Sequence, residues 1–252
     1  MLVMGILNVT PDSFSDGGDF ETFESAVAHG LQMLAEGADI IDIGGESTRP
    51  GAQRITEEEE LARVIPVVKE LAQHRAVISI DTMRSGVARA AVEVGATYIN
   101  DVSGGLADAQ MHHVAAALGT EYILMHWRGH SVDMNSRAIY SDVVEEVKAE
   151  LMEQVDKALA AGIAKEKLIL DPGIGFAKES EHNWELIHNI TEIVELGYPV
   201  LVGASRKRFL GGDSPSEREA ATLKITEDLL ATGIWGVRVH SVAPHKAVIA
   251  RV

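Results

Sequence analysis

Near its end the chain reads Gly236-Val237-Arg238-Val239-His240, and Val202-Gly203-Ala204-Ser205-Arg206-Lys207 stands shortly before. Residues two apart on a strand point the same way, so Arg238 and His240 share one face while Val237 and Val239 share the other. A guanidinium and an imidazole projecting together make a poor core and a good receptor for a multiply charged anion. Elsewhere Asp81, Asn100 and Asp171 each end a short apolar run, and with Lys207 they combine strong acceptors with amide and ammonium donors. Carboxylates of this kind bind donor-rich ligands, hold metals or act as acid and base, and spacing does not separate these uses.

The elements that must position these residues are legible as a rhythm. Strand candidates fall at 2–9, 39–44, 76–81, 97–100, 121–126, 167–171, 200–203 and 236–240, most of them rich in Val, Ile and Leu. Amphipathic segments lie between them near 22–36, 57–73, 85–94, 108–118, 141–161, 181–196, 217–232 and 242–250. Thr56 with Glu59 and Ser216 with Glu219 read as capping boxes. Gly37, Gly95, Gly119, Gly162, Gly197 and Gly233 fall where helix ends want a left-handed residue. About eight strand–helix repeats in 252 residues predict a (β/α)₈ barrel, residues 1–252 forming one domain. A doubly wound sheet is the runner-up, but Val9-Thr10-Pro11-Asp12-Ser13 replaces the glycine-rich turn that it needs after its first strand.

In such a barrel, chemistry collects at the C-terminal strand ends. Those ends carry Asn8, Asp42, Asp81, Asn100, His126, Asp171, Ser205 with Lys207, and Arg238 with His240. Alternation sets Ser79 and Asp81 against Ile78 and Ile80, and Ile169 and Asp171 against Leu168 and Leu170, so the aliphatics face the helices and the acids face the barrel mouth. Two loops add polar groups: 10–18, which holds Asp16 and reads as a lid, and 44–51, which holds Thr48, Arg49 and Pro50. One ligand that fits the carboxylate and amide set is a fused heterocycle with an amino-oxo edge, such as a pterin or guanine.

Composition narrows the partners. With 22 basic against 38 acidic residues the net charge is −16, which argues against nucleic acid or a membrane surface. There is no cysteine, hence no disulfide, thiolate site or Cys nucleophile. The apolar start at Met1 is short and lacks a basic flank, as expected of a buried first strand.

Taken in order, these motifs resemble the dihydropteroate synthase family over essentially the whole length. The resemblance rests on Met4-Gly5-Ile6-Leu7-Asn8 running through Gly18, Gly44-Gly45-Glu46-Ser47-Thr48-Arg49-Pro50-Gly51, Ser79-Ile80-Asp81-Thr82, Ile99-Asn100-Asp101, Asp171-Pro172-Gly173-Ile174-Gly175-Phe176, Gly203-Ala204-Ser205-Arg206-Lys207 and Arg238-Val239-His240. Met125-His126-Trp127-Arg128 is similar to the actinobacterial branch. Membership implies a cytoplasmic, homodimeric transferase using Mg²⁺. It would join p-aminobenzoate to 6-hydroxymethyl-7,8-dihydropterin pyrophosphate by SN1-like loss of pyrophosphate. By the same resemblance, Asp81, Asn100, Met125, Asp171 and Lys207 hold the pterin. Asn8 sits on the metal and pyrophosphate side with Thr48, Arg238 and His240, and Pro50, Phe176 and Ser205 border p-aminobenzoate. Arg49 and Asp16 fold over the reacting centre.

Two departures stand out. The usual Arg-x-His-Asp reads Arg238-Val239-His240-Ser241, and the connection 211–216, near the family's dimer surface, is short. Alternation turns Ser241 away from Arg238 and His240, so an indirect effect on His240 is expected. A non-catalytic pterin binder on the same barrel is the alternative. A methyl-tetrahydrofolate-binding domain of a corrinoid methyltransferase is disfavoured by the Arg238/His240 pair and the first loop.

Overall fold

The structure, a computed structural model, describes residues 1–10, 19–46, 54–130 and 134–251. Its strands are β1 (Leu2–Asn8), β2 (Ile40–Gly44), β3 (Ile78–Asp81), β4 (Tyr98–Asp101), β5 (Glu121–Met125), β6 (Leu168–Asp171), β7 (Leu201–Val202) and β8 (Gly236–Val239). The helices are α1 (Asp19–Ala35), α2 (Glu57–Gln73), α3 (Ser85–Glu93), α4 (Met111–Leu118), α5 (Val143–Ala160), α6 (Ser180–His188), α7 (Ile190–Val194), α8 (Glu219–Leu229) and α9 (Val242–Ile249). All strand pairs are parallel and run in the order β6-β5-β4-β3-β2-β1-β8-β7. A single bridge from Leu170 to Val200 joins the two ends of that sheet and closes the (β/α)₈ barrel.

Strand alternation sorts the core into two sets. Ile78, Ile80, Leu168, Leu170, Val237 and Val239 pack outward with the helices. Met4, Ile40, Ile123, Ile169 and Leu201 form a separate apolar layer inside the barrel. That inner layer is a floor; above it β2 and β6 turn Asp42 and Asp171 inward, β3 turns Asp81 inward, and β5 turns the apolar Met125 inward. Parallel strands covered by helices leave no solvated face, so inward polar groups turn to one another, as Asp42 Oδ2 does to Asn100 and Arg238, while Ser79 Oγ and Asp42 Oδ1 find no partner among the described residues.

The six helix-end glycines all take positive φ, and Gly119 caps α4 in the left-handed region at φ 63°. The Thr56 cap forms, its side chain accepting from the Glu59 N–H at 3.2 Å. The cap expected at Ser216 does not. α8 starts at Glu219 after Arg218, and the Glu219 carboxylate instead bonds Arg206 Nε at 2.8 Å. The segment expected as one helix over 181–196 is two. Asn189 breaks it at φ −109°, its side-chain amide donating to Glu185 O at 2.8 Å and so competing with the helical backbone ladder.

Candidate active site

At the C-terminal end of the barrel the register sets Gly44 beside Asp81, Asp81 beside Asn100, and Met125 beside Asp171. These residues share one rim because each occupies the last or next-to-last inward position of its strand. Arg238 starts lower, paired with Met4, and its long side chain rises to them. Its Nε donates to Asp42 Oδ2 and its Nη2 to Asp81 Oδ2, both at 2.6 Å. Asp42 is fully buried, and the same Oδ2 accepts from Asn100 Nδ2 at 3.0 Å. One carboxylate thus orients an amide and a guanidinium together. Sequence reading placed Asp42 among the strand ends without giving it a role. Its partners lie 58 and 196 residues away, and only barrel closure brings them together.

The site's protonation is set by burial. Burial pushes the Asp81 carboxyl up to about 7, aided by Asp42 and opposed by Arg238. The Asp171 carboxyl is raised for the same reason, although Gly173 N–H donates to it at 2.7 Å. Lys207 is pushed down to about 7, again chiefly by burial, against the pull of Asp171. The Lys207 ammonium also donates to Ile174 O, and its nitrogen lies 4.2 Å from the centre of the Phe176 ring.

Next to this cluster Ser205 and His240 form a pair. The His240 backbone N–H donates to Ser205 Oγ at 3.2 Å, and the same oxygen lies 2.9 Å from His240 Nδ1. With the hydroxyl hydrogen given to Nδ1, the imidazole keeps its own on Nε2 as a donor. His240 and Asn8 line a cavity of about 450 Å³ that extends along α1 and the start of α9 and is also bordered by Arg206 and Ser241.

The structure therefore brings Asn8, Asp81, Asn100, Met125, Asp171, Ser205, Lys207, Arg238 and His240 to one end of the barrel, with Phe176 at its edge. Asp16, Thr48, Arg49 and Pro50 lie outside the described residues. His126, counted among the strand-end polar groups, turns the other way: Met125 takes the inward position, and His126 bonds Glu150 of α5 through Nε2 at 2.9 Å. The Arg238 charge, expected to form an anion receptor with His240, is balanced in place by two carboxylates. Ser241 reaches Arg206, whose Nη2 donates to its Oγ at 2.6 Å.

Comparison with known proteins agrees with this geometry. The pterin binding enzyme family matches residues 4–240. The dihydropteroate synthase of Mycobacterium leprae (strain TN) is 52% identical over 250 residues, spanning 95% of this chain and 88% of that protein. A solved dihydropteroate synthase of Xanthomonas albilineans with 4-aminobenzoic acid superposes with a TM-score of 0.93 at 45% identity, covering 99% of this chain and 91% of that one. The same enzyme in complex with 7,8-dihydropteroate gives a TM-score of 0.89 at 42% identity, over 99% and 91% of the two chains. With both the fold and the strand-end residues accounted for along nearly its whole length, the chain belongs to the pterin binding enzyme family, among the dihydropteroate synthases.

Proposed function

We propose that this chain condenses 6-hydroxymethyl-7,8-dihydropterin pyrophosphate with p-aminobenzoate, releasing 7,8-dihydropteroate and pyrophosphate. The observation that carries the reading is the convergence of Asp81, Asn100, Asp171 and Lys207 on one rim, a set matched to the amino-oxo edge of a pterin. Asp171 and Asp81 accept ring N–H groups, Asn100 is held in orientation by Asp42, Lys207 addresses ring acceptors, and Met125 supplies an apolar wall. Asn8 and the Nε2 donor of His240 face the shared cavity and receive the pyrophosphate. Arg238 stands below with two nitrogens on Asp42 and Asp81, where it stabilises the cluster and leaves Nη1 for the leaving group.

In the reaction the methylene carbon–oxygen bond breaks and its electron pair departs with pyrophosphate. The electron-rich dihydropterin shares the positive charge left on carbon, which Asp81 stabilises electrostatically. The amine of p-aminobenzoate then bonds to that carbon and gives up a proton. Ser205 and Phe176 border the arylamine, and Thr48, Arg49, Pro50 and Asp16 complete the enclosure by resemblance.

Magnesium fits this chain as an ion carried by the substrate. Among the described residues no group of three or more His, Cys, Asp or Glu is placed to hold it, and Asn8 offers one neutral oxygen. Mg²⁺ commonly keeps waters and takes phosphate oxygens for the rest of its shell. When bound it neutralises charge on the departing pyrophosphate. A homodimer and a cytoplasmic location go with the family reading, and no helix among the described residues is long and apolar enough to cross a membrane. Incubation with both substrates and Mg²⁺, followed by assay of dihydropteroate and pyrophosphate, tests the proposal. Tight pterin binding with no product at saturation would overturn it in favour of a non-catalytic binder.

A further inference from the structure

The segment between β6 and α6 carries Phe176 and is gripped from two sides. On the mouth side Lys207 donates to Ile174 O and lies over the Phe176 ring. On the opposite side stands Lys178. Its nitrogen, pushed down to about 7 chiefly by burial, lies within hydrogen-bond distance of three acceptors: Gly173 O at 3.1 Å, Phe176 O at 3.1 Å and His126 Nδ1 at 2.9 Å. Two of these are backbone carbonyls of the segment itself, so Lys178 fixes both ends of the tight turn Gly173–Phe176, which is itself closed by Phe176 N–H donating to Gly173 O at 3.0 Å.

The third acceptor connects the turn to the barrel wall. Burial, with Lys178 alongside, pushes His126 down to about 4, so the ring is neutral. With Nδ1 accepting from Lys178, its hydrogen sits on Nε2 and goes to Glu150. Arg128 holds Glu150 through Nε and Nη2, and its guanidinium lies 3.8 Å over the Tyr140 ring. Tyr140 returns to the segment by donating to Ala177 O at 3.0 Å. Backbone carbonyls of 173, 176 and 177 are thus tied to one outer network that reaches α5. There is little slack in the turn: a Cβ on Gly173, at φ 69°, would lie 2.4 Å from His126 O.

We propose that Lys178 is a positioning residue for the arylamine subsite, acting through Phe176 by holding the turn that carries it. The inference rests on the proposed function and adds a residue on the far side of the turn to it. A substitution there moves Phe176 first, while Asp81 and Asn100, on their own strands, keep their places and Asp171 is reached only through the Gly173 N–H that its carboxylate accepts.

The test is steady-state kinetics of the full chain against each substrate in turn. We expect Lys178→Met to raise KM for p-aminobenzoate roughly tenfold or more, while KM for the pterin pyrophosphate stays within about threefold. Because Lys178 acts through Phe176, the double variant with Phe176→Ala should be no worse toward p-aminobenzoate than Phe176→Ala alone. If Lys178→Met does not fold, His126→Leu and His126→Gln replace it. Leucine removes the acceptor and should raise the same KM, while glutamine offers both an acceptor and a donor and should leave it near wild type. Equal increases in both KM values, or additive effects in the double variant, overturn the proposal. Wild-type turnover with an unaltered Lys178 variant overturns the positioning role alone; absence of wild-type turnover overturns the proposed function with it.

Discussion

Arg238 shows how a single side chain serves folding and the site together. Its two bonds neutralise Asp42 and Asp81, so replacing it leaves buried carboxylates without a countercharge. Breaking a buried pair in this way costs about 3–5 kcal/mol, and we expect Arg238→Met to lose that much in urea denaturation at pH 8. The loss should shrink as pH falls from 8 toward 7, because without Arg238, which holds it down, the Asp81 carboxyl takes up its proton above that value. A loss that is small at pH 8, or the same at pH 6, would contradict this pairing. His126 gives a second prediction with a defined sign. Folded, it titrates near 4, against 6.5 in the unfolded chain, so between those values the unfolded state binds more protons and stability rises with pH. At 1.36 kcal/mol per pKa unit the contribution is up to about 3 kcal/mol, lost as pH falls from 6.5 to 4. His126→Gln should remove that part of the acid loss, read from denaturation midpoints across the window; an unchanged slope refutes it. Sequence placed Arg238 on the inward face correctly, because alternation is local. That it meets Asp42 was not legible, because no local pattern reports which strands a closed barrel sets opposite.

At the scale of elements, the turn between β6 and α6 stores strain where the site needs a fixed shape. Ala177 is buried and has φ 47°, a left-handed conformation that costs a residue with a Cβ about 1–2 kcal/mol. Glycine relieves that but loses more entropy on folding, so Ala177→Gly should be more stable by about 0.5–1 kcal/mol. Thermal unfolding measures it, and a lower midpoint would show the conformation to be unstrained. The strands and most helices could be read from the sequence because their apolar periods, 2 and 3.6, leave a mark at every turn. The break at Asn189 and the missing Ser216 cap left none. Both depend on which acceptor a polar side chain chooses, and Glu219 was drawn to Arg206, a residue of the site loop. The outer network of Lys178, Glu150 and Arg128 was equally hidden, since it joins segments 22 to 52 residues apart.

The whole molecule is a ring with one weak join. β1 and β2 are paired over five residues, whereas β6 and β7 meet at the single bridge of Leu170 and Val200, with Leu170 N–H donating to Pro199 O at 2.8 Å. Cooperative opening follows the least supported contacts first, so the Leu170 amide should exchange its hydrogen faster than amides in the β1–β2 ladder. Exchange followed by mass spectrometry or NMR decides this; equal protection would mean the join is as strong as the rest of the wall.

That join has a further consequence. Asp171 follows Leu170 directly, and Lys207 stands on the connection leaving β7, so the acid and the amine lie on opposite lips of the seam. On the proposed function, a ring system held by both at once becomes a rung laid across the gap, adding to the Leu170 bond the support that longer backbone ladders give elsewhere in the wall. Substrate bound as proposed would complete the cylinder, leaving the barrel wall most continuous when the site is filled.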